Sequence, residues 1–104
     1  MRYLRTCYAK KYPPLTPGEV IHILKERGFT YTRTTGSHEH YEGMVRGKRR
    51  SVVVDRHYSQ FTVKLIKYMI GQSGLTREEF YGSTRRTAKK INLRAKEYPI
   101  PLEE

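Results

Sequence analysis

The chain has no tryptophan, one cysteine and few acids, and each shortage removes a class of protein. Cys7 has no second cysteine to pair with, so no intrachain disulfide forms and a reducing, cytoplasmic setting is expected. A membrane span needs ~18 consecutive apolar residues. The longest aliphatic run, Val52-Val53-Val54, has three, and no membrane partner is expected. The opening MRYLRTCYAKKYPP is charged and lacks the apolar segment of a secretory signal. Ten Asp and Glu stand against 21 Lys and Arg, giving a formal net charge of +11. Such a balance repels cationic partners and favours a polyanion, nucleic acid before an acidic membrane face. Only 37% of the 104 residues are hydrophobic and nine of them are tyrosine, so the aliphatic core is thin and serves one small domain.

Three zones follow from composition. Residues 1–15 form a basic arm ending in Pro13-Pro14, which no helix interior accepts. Residues 16–82 carry periodic signals throughout and form the expected core. Residues 83–104 form a strongly basic tail, acidic at Glu103 and Glu104.

Within the core, Thr16-Pro17-Gly18-Glu19 reads as a capping box with proline at the first helical position. A helix over about 16–27 follows, with Val20, Ile21 and Leu24 inward, His22 partly buried among them, and Gly28 as its stop. Residues 29–34 are β-branched and aromatic, as strands are. Thr35-Gly36-Ser37 signals a turn into a second strand at His38 to Glu42. A break at Gly43 or Gly47 precedes a third strand at Ser51 to Val54. A second helix begins near Thr62, with Val63, Ile66 and Ile70 along its apolar face, and ends between Gly71 and Gly74. Thr76-Arg77-Glu78-Glu79 repeats the capping box before Phe80 and Tyr81. The order α-β-β-β-α plus a stub predicts an α+β domain: a three-stranded antiparallel sheet with helices on one face and basic extensions at both ends.

Four pieces of this chain, in order, carry a resemblance: Lys25-Glu26-Arg27-Gly28-Phe29; Gly36-Ser37-His38; Val52-Val53-Val54-Asp55-Arg56-His57; and Ile70 to Phe80 with its Glu-Glu-Phe ending. With them, residues 16–81 resemble the HicA/YcfA-like toxins, small RNA-cleaving proteins of toxin–antitoxin pairs with a double-stranded-RNA-binding-domain-like fold. The resemblance implies an endoribonuclease acting on mRNA, His38 as its catalytic residue, and a HicB-like antitoxin as partner. One departure is Asp55, where the family often has proline. An acid there either orients His57 or repels phosphate.

Residue chemistry supports the same position. RNA is cut without a metal when a base takes the proton of a ribose 2′-hydroxyl and that oxygen attacks the adjoining phosphate. A histidine suits this near neutral pH. Gly36 lets the backbone approach a ligand, and Ser37 offers a hydroxyl and an amide N–H to phosphate. On a strand His38 and His40 share a face, and both meet solvent if Tyr41 packs inward. His40 and His57 are supporting candidates, His57 as a proton donor or a structural contact. His38, His40 and His57 also make up a three-nitrogen set for zinc, but no carboxylate or cysteine is arranged as a fourth ligand, so no metal or other cofactor is expected. For RNA binding the candidates are Gly36 and Arg33, the cluster Arg46, Lys48, Arg49 and Arg50, and the tail residues Arg85, Arg86, Lys89 and Lys90. The competing reading is a module of the same fold that holds RNA without cutting it, or a ribonucleoprotein component.

Overall fold

Thr16 closes its capping box: its hydroxyl accepts the Glu19 amide at 3.1 Å, and the Glu19 carboxylate accepts the Thr16 amide at 2.9 Å. In this computed structural model, which describes residues 11–103, helix α1 runs from Pro17 to Glu26 and buries Val20, Ile21, Ile23 and Leu24. His22 is not among the buried residues. It stands two residues on from Val20, a turn of about 200°, and lies exposed, 3.5 Å from Glu26. The expectations that rest on Cys7 and on the first ten residues of the basic arm lie outside the described residues.

Strands β1 (Thr30–Thr35), β2 (His38–Val45) and β3 (Lys48–Asp55) form an antiparallel meander in the order β1-β2-β3. The second and third strands are longer than the sequence suggested, because β2 runs through Gly43. A Cβ at Gly43 would sit 2.9 Å from the Phe29 ring, so this glycine makes room for packing rather than for a turn. The turn falls at Arg46-Gly47, both with positive φ (51° and 79°), as a two-residue I′ hairpin demands.

Period-two alternation then divides the sheet. Tyr41 and Val45 of β2 and Val52 and Val54 of β3 are buried on one face. Over them lie α1 and α2 (Val63–Ser73), with Leu15, Leu24, Phe61, Ile66, Phe80 and Tyr81 completing the core. Val63 was expected on the inward face of α2 but is about half exposed; Ile66, Met69 and Ser73 make that face. Gly71 lies inside α2, and Gly74 ends it with φ 75°. The second capping box, on Thr76, starts α3 (Arg77–Tyr81) as expected. Among the described residues the other face of the sheet carries no element, and all six residues of β1 are exposed.

The basic segment after residue 82 folds back. Its first turn is α4 (Arg85–Lys89), capped by Thr84. Farther on, Arg27 donates to the Ile100 carbonyl at 2.6 Å and the Ile100 amide to Gly82 at 3.1 Å. The Glu103 amide donates to the Glu79 carboxylate at 2.6 Å, and Arg46 donates to the Glu103 carbonyl at 2.7 Å. Arg46 also pairs directly with Glu79, whose side chain is almost wholly buried. These bonds cross the boundary expected at residue 82 and strap the C-terminal segment to α1, α3 and the β2–β3 turn. Burial alone would raise the Glu79 carboxyl, but bonds from the Glu103 amide, Arg46 and the Thr76 amide hold it below its ordinary value.

Candidate functional site

His38 begins β2 and stands opposite Thr35 of β1 and Asp55, the last residue of β3. Tyr41 packs inward, so His38 and His40 take the open face of the sheet, with Asp55 and Val53 beside them. The His38 side chain is 53% exposed, and its Nε2 lies 3.3 Å from the Asp55 carboxylate. Gly36, with φ 62°, takes the first central position of the tight β1–β2 turn and brings Ser37 against β3.

Asp55 is the hub of this corner. One oxygen accepts the Ser37 hydroxyl at 2.6 Å and the His57 amide at 2.9 Å, while the other faces the His38 ring. The Ser37 hydroxyl, then the His57 amide, and the nearby imidazoles bring the Asp55 carboxyl below its ordinary value, so it is anionic at neutral pH. The sequence left open whether Asp55 orients His57 or repels phosphate. The geometry sets its carboxylate against the His38 ring and ties it to the main chain, not the side chain, of His57. Ser37 spends its hydroxyl proton on Asp55 and its carbonyl on the Arg56 amide at 2.8 Å. The hydroxyl expected to meet phosphate is therefore turned inward in this arrangement.

His57 is exposed just past β3, its ring 6.1 Å from that of Tyr58. His40 is partly buried, two residues along from His38 and in register with Arg33 and Val53. Among the described residues, no group of three or more His, Cys, Asp or Glu side chains is placed to hold a metal ion.

The cations do not form one surface. Arg33 and Arg49 lie on the open face, Arg33 in register with His40 and Arg49 beside Glu42 at 3.4 Å. Lys48 and Arg50 fall on the alternate, helix-side positions of β3. The Arg50 head packs against Gly74, where a Cβ would come within 2.5 Å of Nε. Arg46 is held by Glu79, Glu103 and the Gly74 carbonyl, the last at 2.8 Å. Its guanidinium, expected on RNA, is committed to the fold. The Arg46 turn also lies at the far end of β2 from His38, about 23 Å away at strand rise. Lys90 is committed likewise, to the Pro14 carbonyl at 2.8 Å and Glu19 at 3.1 Å. Arg85, Arg86 and Lys89 are exposed on α4, beside α1 and away from the histidine face.

A family model described as "HicA toxin of bacterial toxin-antitoxin" matches residues 18–75, more than half of the chain. The chain belongs to the HicA toxin family. HicA toxins are mRNA interferases, RNases of toxin–antitoxin systems, so membership implies an RNA substrate and an antitoxin partner. The match spans α1, the sheet and α2, and so includes His38, Asp55 and His57; α3, α4 and the C-terminal strap lie beyond it. No curated protein and no solved structure matches the chain. Among the described residues, no helix is long and apolar enough to cross a membrane.

Proposed function

We propose that this HicA-family chain is a metal-independent endoribonuclease in which His38 is the general base, acting on mRNA in the cytoplasm. The observation that carries the reading is a half-exposed imidazole on the open sheet face with Nε2 fixed 3.3 Å from an anionic carboxylate. The Asp55 charge favours the tautomer with its proton on Nε2, which leaves Nδ1 with a free lone pair. Nδ1 takes the proton of a ribose 2′-hydroxyl, and that oxygen attacks the neighbouring phosphorus. The P–O5′ bond breaks, and the exposed His57 supplies the proton to the departing 5′-oxygen. The products are a 2′,3′-cyclic phosphate and a 5′-hydroxyl, with no redox change and no net loss of protons. Base assistance of this kind is worth ~10² to 10⁴ in rate. Arg33 on the same face, with the Gly36-Ser37 backbone, positions the RNA strand. His40 supports that contact from two residues away.

A HicB-like antitoxin with an acidic surface would silence the enzyme by covering the open face, since complementary charge speeds and orients such docking. The test is His38→Ala against the parent on purified RNA, with and without a chelator. Loss of cleavage with RNA binding kept, cyclic phosphate ends in the parent and indifference to chelator are the expected results. Cleavage that survives the substitution removes His38 from the reaction. Cleavage by the parent that a chelator stops removes the metal-free mechanism.

A further inference from the structure

One cavity lies on neither the sheet nor the matched part of the chain. It is a cleft of about 460 Å³ formed by α4 and the loop after it, lined by Arg85, Lys89, Arg94, Asn92 and Tyr98. Its walls are fixed by hydrogen bonds. Asn92 takes the left-handed conformation (φ 56°), which lets the Leu93 amide reach back to the Ala88 carbonyl at 3.0 Å. The Tyr98 hydroxyl then closes the loop, accepting the Ala95 amide at 3.0 Å and donating to the Leu93 carbonyl at 3.2 Å. The Arg85 guanidinium lies 5.6 Å over the Tyr98 ring.

The cations of the described residues divide into paired and unpaired ones. Arg46, Arg49, Arg56, Arg77 and Lys90 each have a carboxylate within ion-pair distance. Arg85, Lys89 and Arg94 have none among the described residues; Arg33, Lys48, Lys64, Lys67 and Arg86 are unpaired there as well, but these three converge on one cleft that no acid lines. Three like charges gathered without a counter-charge cost the folded state through self-repulsion. The acid of this segment, Glu97, lines the neighbouring cleft and not this one. A preformed, walled set of cations costs little to organise when an anion arrives, and guanidinium forks with one ammonium suit phosphate.

We propose that this cleft is a second RNA-binding site that grips the phosphate backbone of the substrate strand away from the histidine corner. The proposal rests on the endoribonuclease reading for its choice of polyanion, and it deepens that reading. It assigns substrate affinity and salt dependence to residues beyond 75, and leaves the chemical step to the open sheet face.

The test combines Arg85→Gln, Lys89→Gln and Arg94→Gln in the full chain, with labelled single-stranded RNA as probe. Binding is measured by anisotropy on a His38→Ala background, so that cleavage does not interfere. Loss of three phosphate contacts flattens the log–log salt slope by about 2. The parent then loses roughly twentyfold more affinity than the variant between 50 and 200 mM salt. In the cleaving protein the same three substitutions raise KM and leave kcat unchanged. An unchanged slope and affinity overturns the proposal, as does a fall in kcat at saturating RNA. If the triple variant does not fold, Arg94→Glu at an exposed loop position repeats the measurement with the same criteria. The two readings fail separately. A flattened slope with cleavage insensitive to His38→Ala keeps the cleft and removes the catalytic base, and the converse result does the reverse.

Discussion

The Asp55 carboxylate faces His38 Nε2 at 3.3 Å, and a single substitution tests whether it orients the ring. Asparagine keeps the shape and the acceptor for Ser37 and the His57 amide, but removes the charge opposite Nε2. At 3.3 Å in solvent such a charge is worth about tenfold in any equilibrium it biases. Asp55→Asn is expected to lower kcat by about that factor with KM unchanged. In ¹⁵N spectra of the His38 ring, the parent is expected to show the Nε2–H tautomer and the variant a mixture. A merely structural Asp55 would leave the tautomer where it was. At this scale the sequence revealed the imidazole and its face, since both follow from the period of a strand and the burial of Tyr41. The partner on Ser37 was hidden, because the register that sets Asp55 across from His38 depends on where the β2–β3 hairpin turns.

That turn belongs to the scale of elements. Glycine at 43 and at 47 gave two equal turn signals, and local propensity has no means of ranking them. The choice is made by Phe29, whose ring fills the space a side chain at Gly43 would take. Gly43→Ala is therefore expected to destabilise the protein by about 1–3 kcal/mol through overpacking, read as a lower urea midpoint. Both capping boxes, by contrast, were legible at once, since each spans four residues and needs nothing from the rest of the chain. Thr76→Ala, which removes the bond to the Glu79 amide, should cost about 1 kcal/mol in the same assay. The inward face of α2 lay between these cases: helical period placed Ile66 correctly and Ile70 at its partly buried edge, but not Val63, and the face turns toward Met69 and Ser73 instead.

Across the whole molecule, the strap decides stability in acid. Glu79 joins Arg46, the Glu103 amide and the Thr76 amide in one buried knot. Its carboxyl is held below the ordinary value in the fold, so the stabilisation is complete above the unfolded pKa of about 4.3. It is lost as pH falls through the lower, folded value. Glu79→Gln should cost about 3 kcal/mol at pH 7, since Arg46 loses its buried counter-charge. That shift corresponds to about 10–20 °C in Tm for a domain of this size. The variant's urea midpoint should also fall less steeply on acidification than the parent's, with Asp55 and Glu19 left to supply the remaining slope. Of this knot only the capping bond between Thr76 and Glu79 was visible as sequence. Arg27, Arg46 and Lys90 look like solvated charge until chain carbonyls more than 25 residues away are folded onto them.

Among the described residues, the histidine corner and the α4 cleft look out from opposite layers, one from the open face of the sheet and the other from beside α1. A strand of ribonucleotides that touches both must travel around the rim of the protein, past β1 or past the ends of the helices. Substrate length thus becomes a ruler for the molecule. A di- or trinucleotide reaches one layer only, and its turnover should be blind to every change made at Arg85, Lys89 and Arg94. A message long enough to lap the rim should feel them all.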